Sequence, residues 1–168
     1  IAFHNQDIKL FMQNLDYWIL NDIVWSKPNA APNFAGTRYQ NSHETLIWCC
    51  KSKKSKYTFN YEAMKNSDFP KDFIKKPGCQ MRSVWAIGTP TKEEKKFGKH
   101  PTQKPVELLE RIILASTNPG DLILDPFMGS GTTGVAALKH GRLFVGIDQE
   151  PQFVELAEKR LYDISEKF

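Results

Sequence analysis

The chain has little of what would place it outside the cell or across a membrane. It holds three cysteines, adjacent Cys49 and Cys50 and a distant Cys79. Three is neither an even disulfide framework nor a C-x-x-C zinc pattern, so no metal is expected and a reducing cytoplasm is the setting that follows. No apolar run approaches the roughly 20 residues of a membrane helix, and Ile1-Ala-Phe-His4 does not open a signal peptide. An initiator methionine is lacking, and the first residues read like the tail of a strand, so the chain is expected to be a piece of a longer protein. At 168 residues, 40% of them hydrophobic, it can still bury a core of its own.

The net charge of +4 leans mildly towards polyanions, and its distribution says more than its total. Lys51-Ser-Lys-Lys-Ser-Lys56 and the stretch from Lys92 to Lys99 are basic clusters, while the chain from Glu107 onward is balanced. The first third alternates elements. Residues 8–18 have helical spacing, with Ile8, Leu10, Phe11, Leu15 and Trp18 on one broad face. Ile19-Leu20 and Ile23-Val24-Trp25 read as strand, 27–36 as an irregular Pro/Asn/Gly loop, and 45–50 as a second buried strand. Residues 51–100 hold most of the lysines without a sustained period and read as a surface insert.

Regularity returns at Pro105. A helix with proline at its first position carries Val106, Leu109, Ile112 and Ile113 as its buried stripe and stops at Asn118-Pro-Gly-Asp121. Strand 122–124, a glycine-rich turn, a helix to about His140, strand 143–147 and a helix from Pro151 to about Tyr162 follow. That order is a βαβ unit with parallel strands. The rest of its sheet is expected from 1–25, from 45–50 and from residues beyond this chain.

Two stretches carry chemistry. The first is Asp125-Pro-Phe-Met-Gly-Ser-Gly-Thr-Thr133, at the end of a strand and the start of a helix. Gly129-Ser-Gly-Thr-Thr-Gly134 matches G-x-G-x-x-G, and Asp148 follows Gly131 by 17 residues at the end of the next strand, where a carboxylate can grip both hydroxyls of a ribose. That geometry serves NAD or S-adenosylmethionine alike. Asp125 separates them, because a carboxylate there repels a pyrophosphate and attracts an ammonium. A carboxylate capping its own turn and a plain strand-end acid remain the alternatives for Asp125 and Asp148. The second stretch is His100-Pro-Thr-Gln-Lys-Pro105, just before a helix, where Thr102 and Lys104 suit a ligand carboxylate. There His100 reads as a loop residue rather than a catalyst, and helix capping is the alternative for the whole turn.

The pair of motifs, in this order and about twenty residues apart, resembles the DNA amino-methyltransferases of the permuted "beta" class, in particular the adenine-N6 enzymes of type II restriction–modification systems. The resemblance extends to Asn21-Asp-Ile-Val-Trp-Ser-Lys-Pro-Asn29, His43-Glu-Thr-Leu-Ile-Trp48 and Tyr57-Thr-Phe-Asn-Tyr61, and so covers nearly the whole chain. It implies an α/β, Rossmann-like methyltransferase fold, permuted and with an incomplete sheet. The core would be 1–25 and 101–168, and 26–100 a target-recognition insert with one core strand near 45–50. It implies S-adenosyl-L-methionine as cofactor, held by Thr102, Lys104, Asp125, Pro126, Phe127, Gly129, Ser130, Gly131, Thr132 and Asp148.

The resemblance further implies methyl transfer to N6 of adenine in a short duplex sequence after base flipping. The 21–61 stretch looks most like enzymes of GATC or GANTC sites. N4 of cytosine, a NAD-dependent oxidoreductase and an inactive DNA-binding remnant stay open. The family's catalytic tetrapeptide, Asp/Asn/Ser-Pro-Pro-aromatic, is not matched, since no Pro-Pro occurs, and no catalytic residue is expected within 1–168. Expected partners are double-stranded DNA and, as an option, a second copy of the chain, with no membrane and a location on prokaryotic DNA. Lys27, Asn29, Asn33, Arg38 and Tyr39 are the candidate DNA contacts, each with loop scaffolding as its alternative.

Overall fold

The computed structural model describes residues 2–3, 6–66 and 78–167. The part of the proposed insert at 67–77 lies outside them. The chain divides into two compact units, one of Ile1–Tyr57 with Tyr61–Gly88, the other of Thr58–Asn60 with Thr89–Phe168.

The first unit is built on a four-stranded sheet of order β1-β3-β2-β4, with β1 Ala2–Phe3, β2 Trp18–Ser26, β3 His43–Cys50 and β4 Val84–Ala86. The two apolar stretches at 19–25 form one strand, β2, which pairs antiparallel with β3 across a register shift between Ile19 and Asn21. Ile23 and Trp25 point inward and are buried, as alternation dictates. On its other side β2 runs parallel to β4, with Trp25 opposite Trp85. The Trp25 indole donates to the Ile87 carbonyl at 2.7 Å, so its polar edge is satisfied inside the core.

Two expectations are corrected here. The first helix, α1, is Gln6–Asn14 rather than 8–18. Asp16 takes a left-handed φ of 62°, which ends the helix before Tyr17. Leu15 falls in that turn and Trp18 in β2, and Leu10, Phe11, Leu15 and Trp18 are all exposed, so no buried stripe forms. The stretch 51–100 is also not all surface. Met64 in the short helix α2 (Tyr61–Asn66) is buried, as are Trp85, Ala86 and Ile87 in and after β4. A three-residue strand is too short to display a period, which is why 84–86 reads as featureless in sequence.

The second unit follows the sequence reading closely. Helix α3, Val106–Ser116, has Pro105 as its N-cap rather than its first residue, so it begins one position after the expected start. Its buried side chains are Leu108, Leu109, Arg111 and Ile113, with Ile112 half-buried. Asn60 belongs to this end of the chain in space. Its side-chain amide donates to the carbonyls of Leu114 (2.9 Å) and Thr117 (2.8 Å), and its backbone N–H donates to Ala115, closing the last turn of α3.

Strand β5 (Leu122–Asp125), helix α4 (Thr132–Lys139), strand β6 (Leu143–Gly146) and helix α5 (Pro151–Ser165) then form the βαβα run. The strands are parallel, with Leu122 opposite Leu143 and Asp125 opposite Gly146. Helix α4 packs on both strands and on α3 and α5. The opposite face of the pair carries Leu122, Leu124, Leu143 and Val145, each at least 46% exposed. Close packing on the helical side depends on Gly134. A Cβ there would lie 2.5 Å from the Phe144 ring and 2.7 Å from Leu161, the helix-to-strand approach that the third glycine of G-x-G-x-x-G serves.

Gly134→Ala is therefore expected to lower stability by about 1–3 kcal/mol through overpacking. Urea unfolding followed by circular dichroism checks this, and a midpoint equal to wild type would contradict the packing described.

Candidate functional site

The glycine turn is built from both strand ends of the second unit. Asp125, the last residue of β5, receives the Phe127 N–H at Oδ1 (3.1 Å) and the Thr133 hydroxyl at Oδ2 (2.6 Å). Its carboxylate therefore does cap the turn that follows. Asp148, just beyond β6, receives the Gly129 N–H at Oδ2 (2.9 Å) and the Glu150 N–H at Oδ1 (3.0 Å). Both carboxylates spend one lone pair per oxygen on these turn donors, three backbone N–H groups and the Thr133 hydroxyl, and keep the others, since an ionised carboxyl offers about four acceptor positions.

Gly131 is the N-cap of α4 with a left-handed φ of 70°, and a Cβ there would lie 2.8 Å from that of Ala157. Only glycine fits both the conformation and the gap. Gly129, Ser130, Gly131 and Thr132 are buried, whereas Pro126 is exposed and the Phe127 side chain is 89% exposed. The Ser130 and Thr132 hydroxyls face one another at 3.3 Å. Arg160, a buried residue of α5, donates from Nη1 to the Ser130 carbonyl (2.5 Å) and to Thr132 Oγ1 (2.9 Å). Burial pushes the Arg160 guanidinium below its ordinary value and the Glu94 carboxylate opposes that shift.

The 100–105 turn lies in the same unit and touches the glycine turn through His100. Its Nε2 is 3.1 Å from the position a Cβ on Gly129 would take, and its ring meets Phe153 edge-on at 4.2 Å between centroids. Thr102 is exposed and Lys104 half-buried. The Thr102 N–H donates to His100 Nδ1 at 3.2 Å. Glu94 fixes the turn from behind. It accepts the Thr91 N–H (2.7 Å) and the first N–H of α3, from Val106 (2.6 Å), while its carbonyl accepts from Gln103 (2.9 Å).

The five DNA-contact candidates fall in the first unit and divide by geometry. Lys27 is ion-paired with Glu44 at 3.0 Å and lies over the Trp25 ring. The Asn29 amide packs beside Gly88. Asn33 accepts the Ala35 N–H at Oδ1 and donates to the Arg38 carbonyl at 3.2 Å, so it braces the loop from within. Gln40 adds a bond to the Ala30 carbonyl. Arg38 and Tyr39 are the exposed pair, Tyr39 at 99%, beside an equally exposed Phe34 that charge and polarity alone did not single out.

Residues 2–159 match the N6_N4_Mtase family, described as DNA methylase. The chain belongs to this DNA methylase family. It is 48% identical over 162 residues to the type II methyltransferase M.HinfI of Haemophilus influenzae, covering 94% of this chain and 43% of that protein. To the type II methyltransferase M2.LlaDCHI of Lactococcus lactis subsp. cremoris it is 46% identical, covering 95% of this chain and 57% of that protein. The chain thus spans about half the length of these two relatives. Among solved structures, the M1.HpyAVI–SAM complex superimposes with a TM-score of 0.73 at 34% identity, over 95% of this chain and 72% of that one. The fold is the Rossmann-like α/β fold of S-adenosylmethionine-dependent methyltransferases.

Two residues that sequence reasoning passed over brace the candidate site, Glu94 behind the 100–105 turn and Arg160 beneath the glycine turn. Glu94 gives no signal beyond a Thr-x-x-Glu spacing from Thr91. Arg160 gives a better one, since it sits on the same helix face as Leu156, Ala157 and Leu161 and yet is charged. Arg160→Met is expected to cost about 2 kcal/mol, the scale of charged hydrogen bonds lost with a carbonyl left unpaired. Arg160→Lys restores little of it, because one ammonium cannot reproduce a planar fork. Denaturant midpoints of both variants check this, and full recovery by lysine would contradict it.

Proposed function

We propose that this chain carries the S-adenosyl-L-methionine site of a site-specific DNA methyltransferase that modifies N6 of adenine. The observation that carries the reading is the joining of two turns in one unit. A glycine turn between Asp125 and Asp148 meets, through His100, a turn bearing Thr102 and Lys104. In a family of DNA methylases that donor set fits the cofactor's chemistry. Asp125 has acceptor capacity left for an ammonium, and Asp148 for the two ribose hydroxyls. Lys104 and Thr102 suit a carboxylate at the start of α3. Pro126, Phe127 and the backbone from Gly129 to Thr132 make the wall between these poles. When bound, the cofactor supplies a methyl group already activated for transfer.

What these residues do is orient the donor. With the poles of the amino acid and the ribose each held, the methyl is presented in one direction, and in-line orientation is most of the work in such a transfer. The target amine lies inside a duplex, so the nucleotide must be turned out of the stack to reach it. The order of the turns, 100–105 before 125–133, supports the permuted "beta" arrangement. Adenine rather than cytosine N4 rests on the likeness of 21–61 to adenine enzymes, and a cytoplasmic location on bacterial DNA goes with it. Double-stranded DNA is the proposed partner, approached by the exposed Arg38 and Tyr39, with lysines meeting phosphates in a salt-dependent way. A second copy of the chain remains an optional partner.

Two measurements test this. Calorimetric titration with S-adenosylhomocysteine is expected to show binding, and Asp148→Ala to weaken it by about tenfold or more, on the order of 1–3 kcal/mol for a charged hydrogen-bond acceptor. Tight binding of NADH with none of the sulfur ligand would sink the cofactor reading. Incubation of the full-length gene product with methyl-tritiated cofactor and duplex DNA, followed by nucleoside separation, is expected to yield N6-methyladenine. Label in N4-methylcytosine would move the target base, and no label in any DNA would leave a binding remnant.

A further inference from the structure

The His100 imidazole is placed where it can control the glycine turn, and nothing in the methyl-transfer reading assigns it that task. Three contacts converge on it within the second unit. Its Nδ1 receives the Thr102 N–H at 3.2 Å, with the Thr102 hydroxyl at 3.4 Å. Its ring stands edge-on to Phe153 of α5, 4.2 Å between centroids. Its Nε2, Cε1 and Cδ2 lie 3.1, 3.3 and 3.4 Å from the Cβ position of Gly129. Gly129, held at a φ of +50°, donates its N–H to Asp148 at 2.9 Å. The ring therefore fills the space a side chain would take on the residue that hands the strand-end carboxylate its backbone partner.

We propose that His100, as the neutral tautomer with its proton on Nε2, is a positioning residue that sets Gly129 and Asp148 for cofactor binding, and that its protonation weakens that binding. The tautomer follows from the contact. A backbone N–H can only donate, so Nδ1 must accept, and in a neutral ring the proton is then on Nε2. Protonation of Nδ1 would turn two donors towards each other and push Thr102 and Gly129 apart. Burial holds the imidazole below its ordinary value of 6.5, the Asp148 carboxylate opposes this, and Lys104 reinforces it. These two charged groups act on the ring, Asp148 from the Gly129 side and Lys104 from its own turn. With the folded value depressed, the unfolded chain takes up the proton first. The stabilisation from the neutral ring is thus complete above about pH 6.5 and lost as pH falls towards the folded value.

The inference rests on the S-adenosylmethionine reading, and its test keeps the two apart. S-adenosylhomocysteine is titrated calorimetrically into the full chain from pH 8 to pH 5, for wild type, His100→Phe and His100→Asn. Wild type is expected to bind uniformly above pH 7 and to weaken below the imidazole value by up to tenfold per pH unit, one proton being released on binding. His100→Phe keeps the ring against Gly129 and Phe153 and is expected to bind several-fold more weakly with a flat profile. His100→Asn keeps an acceptor for Thr102 without the ring and is expected to be flat and weaker still. The same pH slope in His100→Phe as in wild type overturns the proposal. Two-bond proton–nitrogen correlations of the wild-type imidazole at pH 7.5 give a second readout independent of any variant, and a proton on Nδ1 overturns it as well. Absence of binding by wild type at pH 8 would instead remove the cofactor reading beneath it.

Discussion

The carboxylate of Asp148 couples the two strand ends on which the candidate site stands. One oxygen holds the Gly129 N–H of the turn after β5, and the other holds the Glu150 N–H at the entry to α5. Neither segment can shift without breaking a bond to an ionised acceptor, which is roughly twice as strong as a neutral one. The glycine turn is then clamped from two further sides. Arg160 reaches up from α5 to the Ser130 carbonyl, and His100 leans on Gly129. A turn so fixed has surrendered its entropy in folding rather than at the moment of binding, which is how a largely backbone surface can hold a small charged ligand.

That clamp explains which residue types the turn tolerates. Gly131 meets Ala157 of α5, and Gly134 meets Phe144 of β6 and Leu161 of α5. The glycines are thus needed as much by the helix beneath as by any ligand above. The polar pair Ser130 and Thr132 reads the same way, because the Thr132 hydroxyl and the Ser130 carbonyl accept from a buried guanidinium and the Ser130 hydroxyl meets that of Thr132. The contribution proposed for them at a ligand site therefore runs through the backbone, with the Thr132 side chain helping to fix the backbone's course.

Much of the second unit was legible because its signals are local. The glycine spacing, the proline before α3 and at the start of α5, and the apolar stripes of α3 and α5 each lie within one or two turns of chain. What escaped depends on partners distant in sequence. Val84–Ala86 is a strand only because Val24–Ser26 runs beside it. The periodic residues of 8–18 suggested a buried helix face, but Asp16 breaks the helix and Leu10 and Phe11 stay exposed. Arg160, which sequence reasoning passed over, is a buried brace of the glycine turn. Lys27 and Asn33 carry groups suited to DNA, yet Glu44 and the loop backbone already engage them. Residue type says what a side chain can bind, whereas its nearest competing acceptor decides what remains free.

The same competition bears on Asp125, whose two readings are capping and ligand binding. Its carboxylate holds the Phe127 N–H and the Thr133 hydroxyl, so capping is real. The two readings are nevertheless compatible, because each bond occupies one lone pair of a different oxygen. Capping fixes the carboxylate plane and leaves one acceptor direction on each oxygen. Both donors are neutral, so the negative charge itself is not cancelled. A carboxylate pinned by neutral donors at the mouth of a turn remains an electrostatic partner for a cation and an unfavourable neighbour for a pyrophosphate. The bond that looks like plain turn chemistry is what aims the charge, so capping is compatible with the ammonium contact proposed for this residue.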